Sequence, residues 1–314
     1  MEFNIKKTLQ NSTFSDLGFG TKITKAGERL INKDGSFNII RKGKKNWTPY
    51  QVLLSMPSFR FGLLTFSLFI LVNSLFAVLF MLIGIEQLNG VPEGNMVSDF
   101  LYALFFSIQT FTTVGYGGIT PNGILANMIS SFCALVGLIG LALITGLFFA
   151  RFSHPRSHIS FSQKAILTPY KNESAFQFRV VNTRSHKIIN LEAKVVYTWL
   201  ESINGELKRR YENLNLERDK VFLFPLNWTI VHPITKQSPL SDKSLEDIKK
   251  MHGEFLVMLK GFDESYNQVI HTNVSYIAKD VEKDVQFFPM YTSSEDSPTV
   301  LHLDCINKLV PIEV

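Results

Sequence analysis

Two long uncharged stretches constrain what this chain can fold into. No Asp, Glu, Lys or Arg occurs in residues 61–85 or in residues 100–150. A helix needs about 20 predominantly apolar residues to cross the hydrocarbon core of a bilayer. The first stretch therefore predicts one membrane-spanning helix, the outer helix at 61–85. The second is long enough for another, the inner helix at 124–151, preceded by a shorter apolar segment.

The charges that flank these helices predict their orientation. Lys and Arg precede the outer helix and follow the inner helix, whereas segment 84–100 carries acidic residues only. By the positive-inside rule, both termini face the cytoplasm. The sequence thus predicts a basic N-terminal arm at 1–46, a membrane unit at 47–152 and a cytoplasmic domain at 153–314.

The stretch "NWTPYQVLLSMP" predicts a short helix along the inner membrane surface. Thr48 suits the N-cap, Pro49 suits the first helical position, and Pro57 ends the helix. Its aromatic and leucine side chains can lie at the level of the lipid headgroups. The alternative is an irregular connector.

A second short helix is predicted at 98–111, with Ser98 or Asp99 as its N-cap. It is too short to cross a bilayer, so we expect a half-length helix that enters the membrane and returns as a loop. The helix dipole would point its negative end toward the space beneath the loop, where it favours a cation.

The motif TVGYG follows this helix at residues 113–117. Non-helical backbone is tolerated at membrane depth only where protein shields it or where it lines a water-filled path. TVGYG is the potassium selectivity sequence, whose glycines allow successive carbonyl oxygens to point inward and replace the hydration shell of an ion. The alternative, a glycine-rich turn, does not explain the half-length helix before it. The predicted K+ ligands are Thr113, Val114, Gly115 and Tyr116, and Gly117 completes the filter.

One chain supplies one such loop, whereas a filter needs four, so the motif predicts a homotetramer with the pore on its four-fold axis. We expect K+ as the permeant ion, no cofactor and no nucleic-acid partner. The sequence contains no HExxH, GxSxG, P-loop or GxGxxG motif, which argues against an enzyme. A carrier would need more spans and internal repeats.

After residue 157 apolar and β-branched residues alternate with period two, as in "AFQFRVVN" and "EFLVMLKGF". This pattern predicts an all-β sandwich of immunoglobulin-like type. One helical insert is predicted in "SPLSDKSLEDIKKM", where acidic residues precede lysines. The two cysteines, Cys133 and Cys305, form no CxxC pair, and we expect buried thiols rather than a disulfide or metal site.

Over almost its whole length the chain resembles the prokaryotic inward-rectifier potassium channels. The resemblance is carried by "TTVGYG", by "TGLFFARFSHPR", and by "SFSQKAIL", "FPLNWTIVHPI", "SPL" and "VMLKGFDES" in the predicted sandwich. It implies a surface helix, outer helix, pore helix, filter and inner helix, with a tetrameric cytoplasmic vestibule that continues the pore. It also implies a bacterial inner-membrane location and passive K+ conduction.

The resemblance implies roles for residues along the pore. Thr112 and Leu141 would face the cavity, and an uncharged Leu141 implies weak block by internal polyamines. Gly137 matches the hinge of the inner helix, with Gly146 as a second place where the helix could bend, and Phe149 matches the bulky gate residue. Helical periodicity favours Phe148 instead, because at about 100° per residue it lies closer to Leu141 around the helix.

The resemblance also implies a constriction of the cytoplasmic pore around residues 268–274, with His271 near the apex of a loop. Two positions depart from the family pattern, because Gln109 and Gly118 stand where relatives have acidic residues. This departure puts the usual bracing of the filter in doubt and predicts atypical conductance or filter stability.

Basic residues near the cytoplasmic membrane surface could bind anionic lipid headgroups. The candidates are Lys44, Lys45, Arg151 and Arg156. The alternative is ordinary flanking charge of the kind that sets topology. A different class of function, a membrane-anchored sandwich for adhesion or scaffolding, would require the Asn-x-Ser/Thr sequons to face outward and would leave TVGYG unexplained.

Overall fold

A computed structural model describes residues 18–19, 29–43, 48–153, 158–185, 187–203, 205–294 and 297–312. The chain divides into two compact units. The first, here called the helical unit, consists of described residues within 43–154. The second, the β-sandwich unit, combines described residues within 1–42 with those within 155–314.

Four helices build the helical unit. They are α1 (Pro49–Ser55), α2 (Ser58–Ile83), α3 (Met96–Phe111) and α4 (Gly123–Phe152). Both α2 and α4 are long and apolar enough to cross a membrane, and α3 is a shorter apolar helix. A two-stranded sheet of β1 (Leu88–Asn89) and β2 (Thr120–Pro121) joins the segment before α3 to the segment after the TVGYG loop.

The helix ends differ from the sequence prediction in ways that backbone chemistry explains. Helix α2 begins directly after Pro57 and ends at Ile83, because Gly84 adopts a φ of 102° that interrupts the helix. Helix α3 begins at Met96, and Asn95 rather than Ser98 or Asp99 is its N-cap. The Asn95 side chain accepts a hydrogen bond from the Ser98 backbone N–H at 2.9 Å, so the helix begins with Met96 and Val97, ahead of the polar pair Ser98 and Asp99.

Aromatic and small side chains pack α2, α3 and α4 together. The Phe80 and Phe106 rings meet edge to face, with their centroids 5.1 Å apart. Ala77, Ala103 and Cys133 have no exposed surface, and their small side chains allow the three helices to lie close to one another. The buried cluster consists of Phe76, Ala77, Phe80, Leu88, Ala103, Phe106 and Cys133.

Fourteen strands and one α-helix are described in the β-sandwich unit. The strands are β3 (Ile159–Phe161), β4 (Ala165–Tyr170), β5 (Glu173–Asn182), β6 (Ile188–Ile203), β7 (Glu206–Asn213), β8 (Lys220–Leu223), β9 (Asn227–Ile234), β10 (Glu254–Asp263), β11 (Gln268–Ile277), β12 (Val281–Lys283), β13 (Val285–Phe287), β14 (Tyr291–Ser294), β15 (Ser297–Leu301) and β16 (Leu309–Pro311). Helix α5 (Leu245–Lys250) lies in the predicted insert and begins with a capping box between Ser244 and Asp247.

Two five-stranded sheets form the sandwich. One has the order β11–β10–β6–β7, with β8 also paired to β6, and the other has the order β12–β4–β5–β3, with β9 also paired to β5. The pairing is antiparallel except between β4 and β12. Phe176 of one sheet stacks on Phe255 of the other with ring centroids 3.9 Å apart, so the core lies between the sheets. The predicted all-β sandwich is confirmed.

Residues of the N-terminal arm cover the outer face of the first sheet. Leu30 and Ile31 are buried against Val196, Tyr211 and Leu256. The Glu254 carboxylate accepts hydrogen bonds from the backbone N–H groups of Leu30 and Ile31, and Asn273 donates to the carbonyl oxygen of Gly35 at 3.0 Å. The described part of the arm therefore belongs to the β-sandwich unit rather than forming an extended tail.

Candidate ion-conduction pathway

The TVGYG loop has an alternating backbone conformation. Helix α3 ends at Phe111, and then Thr113, Gly115 and Gly117 adopt positive φ values of 59°, 55° and 80°. Glycine adopts such angles readily, whereas a threonine rarely does. Alternation between left-handed and ordinary backbone rotates successive peptide units so that their carbonyl oxygens can align on one side. The sequence predicts a filter at these residues, and this backbone conformation is one that a filter would need.

Hydrogen bonds hold the beginning of the loop to the end of α3. The backbone N–H groups of Val114 and Gly115 donate to the carbonyl oxygen of Gln109, at 2.9 and 3.3 Å, and Thr113 donates to Thr110 at 3.1 Å. Among the described residues no hydrogen bond ends on a carbonyl oxygen of residues 113–117. The amides thus secure the loop while its carbonyl oxygens stay available as ligands for a cation.

The segment after the loop is fixed by close backbone approach. Gly90 has a φ of 90°, and a Cβ atom placed on it would lie 2.1 Å from the carbonyl oxygen of Gly118. The Asn122 backbone N–H donates to the carbonyl oxygen of Gln87 at 2.7 Å. Together with β1 and β2, these contacts hold the loop between the segments that precede α3 and α4.

The two predicted cavity residues, Thr112 and Leu141, differ in their contacts within the chain. The Thr112 hydroxyl donates to the carbonyl oxygen of Ile108 on its own helix at 2.7 Å. Leu141 on α4 is 62% exposed on the single chain. Gly137 is buried, and a Cβ atom there would lie only 2.0 Å from the carbonyl oxygen of Phe111. Gly137 therefore permits close contact between α4 and the end of α3.

The two adjacent phenylalanines near the end of α4 differ sharply in environment. The Phe148 ring packs edge to face on Phe61 of α2, at 5.3 Å between centroids, and is stacked on Phe152 at 6.1 Å. Phe149 is 74% exposed on the single chain, against 40% for Phe148. Phe149 is therefore the residue free to face other copies of α4 in an assembly.

Arg151, a predicted lipid-binding residue, has contacts inside the helical unit that sequence reasoning missed. Its guanidinium donates to the carbonyl oxygens of Leu53, Leu54 and Met56 at the end of α1, at 3.2 Å for Leu54 and 2.7 Å for Met56. It also lies 4.4 Å from the centre of the Phe61 ring. Cations favour helix C-termini, where carbonyl groups lack partners, so Arg151 ties the last turn of α4 to α1.

Other predicted positions fall elsewhere. Lys44, Lys45 and Arg156 lie outside the described residues. His271 is not at the apex of a loop, because it lies within β11 and pairs with Lys260 of β10. The turn between these strands is at residues 264–267, so the apolar alternation of "QVIHTNVSYI" forms strand where the resemblance implied a loop. Both cysteines are free thiols, Cys133 buried and Cys305 partly buried.

Comparison with known proteins gives two family models and a similar relative. A family model for the inward rectifier potassium channel C-terminal domain matches residues 159–314, and a model for ion transport protein matches residues 44–158. Inward rectifier potassium channel Kirbac3.1 of Paramagnetospirillum magnetotacticum is 33% identical over 280 residues, which is 88% of this chain and 93% of that protein.

More distant relatives are the G protein-activated inward rectifier potassium channel 2 proteins of Mus musculus and Homo sapiens. Each is 28% identical to this chain, over 85% and 84% of it respectively and over 68% of their own length. Among solved structures, the sporulation control protein Spo0M of Bacillus subtilis gives a TM-score of only 0.22 with 11% identity, over 40% of this chain and 48% of that one. The chain belongs to the inward-rectifier potassium channels, membrane proteins that conduct K+ without a cofactor and without catalysing a reaction.

Proposed function

We propose that four copies of this chain assemble around one pore, with residues 113–117 as the selectivity filter. The alternating positive φ values at Thr113, Gly115 and Gly117, combined with carbonyl oxygens that have no other described partner, carry this proposal. Four such loops would surround K+ with rings of oxygen atoms that replace its hydration shell. The pore would lie in a bacterial inner membrane with both chain termini in the cytoplasm.

Beneath the filter, Thr112 and Leu141 would line a water-filled cavity. The exposed Leu141 side chain supports this position, because an apolar residue at the centre of α4 that does not pack within its own chain must face lipid, another subunit or the pore. An uncharged ring of four Leu141 side chains would hold polyamine cations weakly. We therefore propose weak rectification by internal polyamines.

The gate would be a ring of four Phe149 side chains at the end of the inner helices. The exposure of Phe149, and the packing of Phe148 on Phe61, support the family assignment over helical periodicity. A narrow apolar ring loses its water and blocks ions without a covalent plug. Opening would then require α4 to bend or the rings to turn aside.

Of the two candidate hinge glycines, Gly146 is the better supported. Within the described chain, no atom other than those of its neighbours and its own helix backbone lies within 4 Å of the position that a Gly146 Cβ would occupy. Gly137 instead packs against the carbonyl oxygen of Phe111, and bending there would disturb the end of α3. A bend at Gly146 would move Phe149 while leaving the filter support in place.

Arg151 lies two residues after Phe149 on α4, and its side chain is hydrogen-bonded to carbonyl groups at the end of α1. Arg151 would therefore transmit movement between α1 and the gate. These contacts support a coupling role for Arg151 more than direct lipid binding. Lys44, Lys45 and Arg156 remain the proposed binding residues for anionic headgroups. We also propose that His271, exposed on β11, contributes to the narrow part of the cytoplasmic pore.

The gate proposal can be tested by potassium-dependent flux into liposomes that contain purified channels. Phe149→Ala should widen the ring and raise basal K+ flux several-fold while K+ remains favoured over Na+. Phe148→Ala is the matched control, because it removes a ring that packs on Phe61 and should lower stability with little gain in flux. A rise in flux only in the Phe148 variant would move the gate to that residue. Equal K+ and Na+ flux through the folded wild type would reject the filter assignment itself.

A further inference from the structure

Three polar side chains are buried together where α2, α3 and α4 meet. They are Asn73 of α2, Ser107 of α3 and Cys133 of α4, and none has exposed surface. The Ser107 hydroxyl donates to the Asn73 side-chain oxygen at 2.9 Å. The Cys133 thiol lies 3.7 Å from the Ser107 hydroxyl and the same distance from the Ser107 carbonyl oxygen. We call this set the three-helix bridge.

In the three-helix bridge, the Asn73 side chain has partners for both its N–H group and its oxygen. Asn73 donates its side-chain N–H to the carbonyl oxygen of Phe69 on its own helix at 2.9 Å, which fixes the amide so that its oxygen faces Ser107. In a membrane interior no water can replace a lost partner, so a buried hydroxyl strongly prefers the arrangement that satisfies it. Rotating α3 about its axis would break the bond between Ser107 and Asn73.

Ser107 lies close to the atoms that hold the filter. Two residues further along α3, the Gln109 carbonyl oxygen accepts the backbone N–H groups of Val114 and Gly115. One turn beyond Cys133 on α4, Gly137 contacts the carbonyl oxygen of Phe111. A rotation or slide of α3 would therefore displace the filter amides together with the end of the helix.

No ionic pair within residues 100–150 can supply this restraint, because that stretch contains no Asp, Glu, Lys or Arg. Gln109 has an uncharged side chain, and Gly118 has none. Neutral hydrogen bonds and close packing are what this stretch offers for holding α3 in register. The bridge is a cluster in which all three long or half-length helices of the unit contribute a buried polar group.

We propose that Asn73, Ser107 and Cys133 are positioning residues that fix the register of the pore helix and thereby the spacing of the carbonyl oxygens that select K+. The inference rests on the proposed filter at residues 113–117. Gln109 and Gly118 carry no charge and cannot form an ion pair that braces the filter. In this inference, the uncharged side chains of the three-helix bridge brace it instead. Loss of the bridge should loosen the K+ sites before it unfolds the protein.

The test compares Ser107→Ala with Ser130→Ala in the full chain. Ser130 lies on α4, three residues before Cys133, and its buried hydroxyl has no hydrogen-bond partner among the described residues. The first measurement is the ratio of K+ to Na+ flux in liposomes. The second follows the melting temperature of the solubilised tetramer as K+ is added, and gives the K+ concentration at which half of the full rise is reached. A residue that only stabilises the fold would shift the melting temperature at every K+ concentration and leave both quantities unchanged.

We expect Ser107→Ala to lower the flux ratio several-fold and to raise the half-saturating K+ concentration several-fold, while Ser130→Ala matches the wild type. If Ser107→Ala yields no tetramer, Cys133→Ala removes one arm of the bridge and should show the same changes at smaller size, with Cys133→Ser retaining wild-type values. Unchanged values in folded bridge variants, or equal changes in Ser130→Ala, would overturn the inference. A wild type without K+ preference would instead reject the filter assignment on which it depends.

Discussion

At the scale of single residues, the pathway depends on backbone freedom as much as on side-chain chemistry. Gly115 and Gly117 allow the positive φ values of the proposed filter, whereas Gly137 provides space for a neighbouring carbonyl group. The sequence motif predicts the first role directly, since TVGYG is defined by those glycines. It cannot predict the second, because a close approach between α3 and α4 is a property of their packing.

Alanine substitutions should distinguish the two candidate hinge glycines of α4, Gly137 and Gly146. A methyl group at Gly137 would lie 2.0 Å from a backbone oxygen, so Gly137→Ala must displace the end of α3. Overpacking of this kind costs about 1–3 kcal/mol, and we expect a lower melting temperature of the solubilised channel and reduced K+ flux. Gly146→Ala meets open space and should keep the channel as stable as the wild type. Equal losses in both variants would contradict a packing role specific to Gly137.

Charge at Leu141 should convert weak block by polyamines into strong block. Four carboxylates introduced by Leu141→Asp would attract spermine in a space less polar than bulk water. The half-blocking concentration of internal spermine, measured at constant voltage in planar bilayers, should fall at least about tenfold, which corresponds to about 1.4 kcal/mol. Leu141→Asn is the control of similar shape and no charge. If spermine blocks the Asp and Asn variants equally, Leu141 does not face the cavity.

At the scale of helices and strands, sequence periodicity predicts which elements exist better than where they begin. Uncharged length identifies α2 and α4, and the alternation of apolar residues identifies β5, β6 and β10. The predicted cap of α3 is wrong because Asn95 caps the helix instead, and the helix therefore already includes Met96 and Val97 before it reaches Ser98 and Asp99. His271 was assigned to a loop by resemblance, although its own alternating neighbourhood favours the strand in which it lies.

Tertiary contacts account for what the sequence could not predict. Arg151 at the end of an apolar helix matches ordinary flanking charge, and only the fold brings the end of α1 to its guanidinium. Likewise helical periodicity and the family resemblance favour different residues of the pair Phe148 and Phe149, and the packing of Phe148 on Phe61 is visible only in the fold. The proposed filter is predicted from its motif alone, because that motif is local and contiguous.

The strand β9 contains a buried histidine that should make the β-sandwich unit sensitive to acid. His232 Nδ1 donates to the Asn215 carbonyl oxygen at 2.7 Å, which leaves Nε2 to accept from the Ser238 hydroxyl, also at 2.7 Å. Burial lowers the pKa of His232 below its ordinary value of 6.5, because the charged ring is poorly solvated, and the Asn215 carbonyl opposes this only partly. The fold thus favours the neutral ring.

The sign of the pH effect follows from linkage. Well above pH 6.5 the ring is neutral in both folded and unfolded chains, and its contribution to stability is complete. As the pH falls toward the lowered pKa of the folded state, the unfolded chain binds the proton first and stability declines. Between pH 7.5 and 5.5 the melting temperature of the unit, followed by tryptophan fluorescence, should therefore fall less in His232→Gln than in the wild type. Parallel curves for the two proteins would show that His232 does not titrate as described.

At the scale of the whole molecule, the chain builds its second unit from two distant parts of the sequence. Residues 29–37 return to the outer face of the β10–β11 hairpin, where Glu254 is almost fully buried. Burial raises the pKa of the Glu254 carboxyl, while hydrogen bonds from Ser275 and from the arm act in the opposite direction. A basic arm read from sequence alone gave no sign of this docking, because its partner residues lie more than 200 positions away.

The arm should be held to the sandwich mainly by one buried ion pair. The Arg29 guanidinium contacts the Asp280 carboxylate and donates to the Ser275 carbonyl oxygen at 2.6 Å, and the Arg29 and Asp280 side chains are only 13% and 5% exposed. Removing one partner leaves a buried charge with fewer contacts. Arg29→Ala should therefore cost about 1–3 kcal/mol of unfolding free energy and lower the melting temperature of the β-sandwich unit by several degrees.

Lys33 supplies a control on the same carboxylate. Its ammonium lies 3.4 Å from Asp280, but its side chain is 57% exposed, and exposed ion pairs contribute about 0–1 kcal/mol. Lys33→Ala should therefore leave the melting temperature nearly unchanged. Neither substitution should alter the preference for K+ over Na+, because Arg29 and Lys33 belong to the β-sandwich unit and the filter belongs to the helical unit. A small shift of equal size in both variants would mean that the arm is held by burial of Leu30 and Ile31 rather than by the Arg29–Asp280 pair.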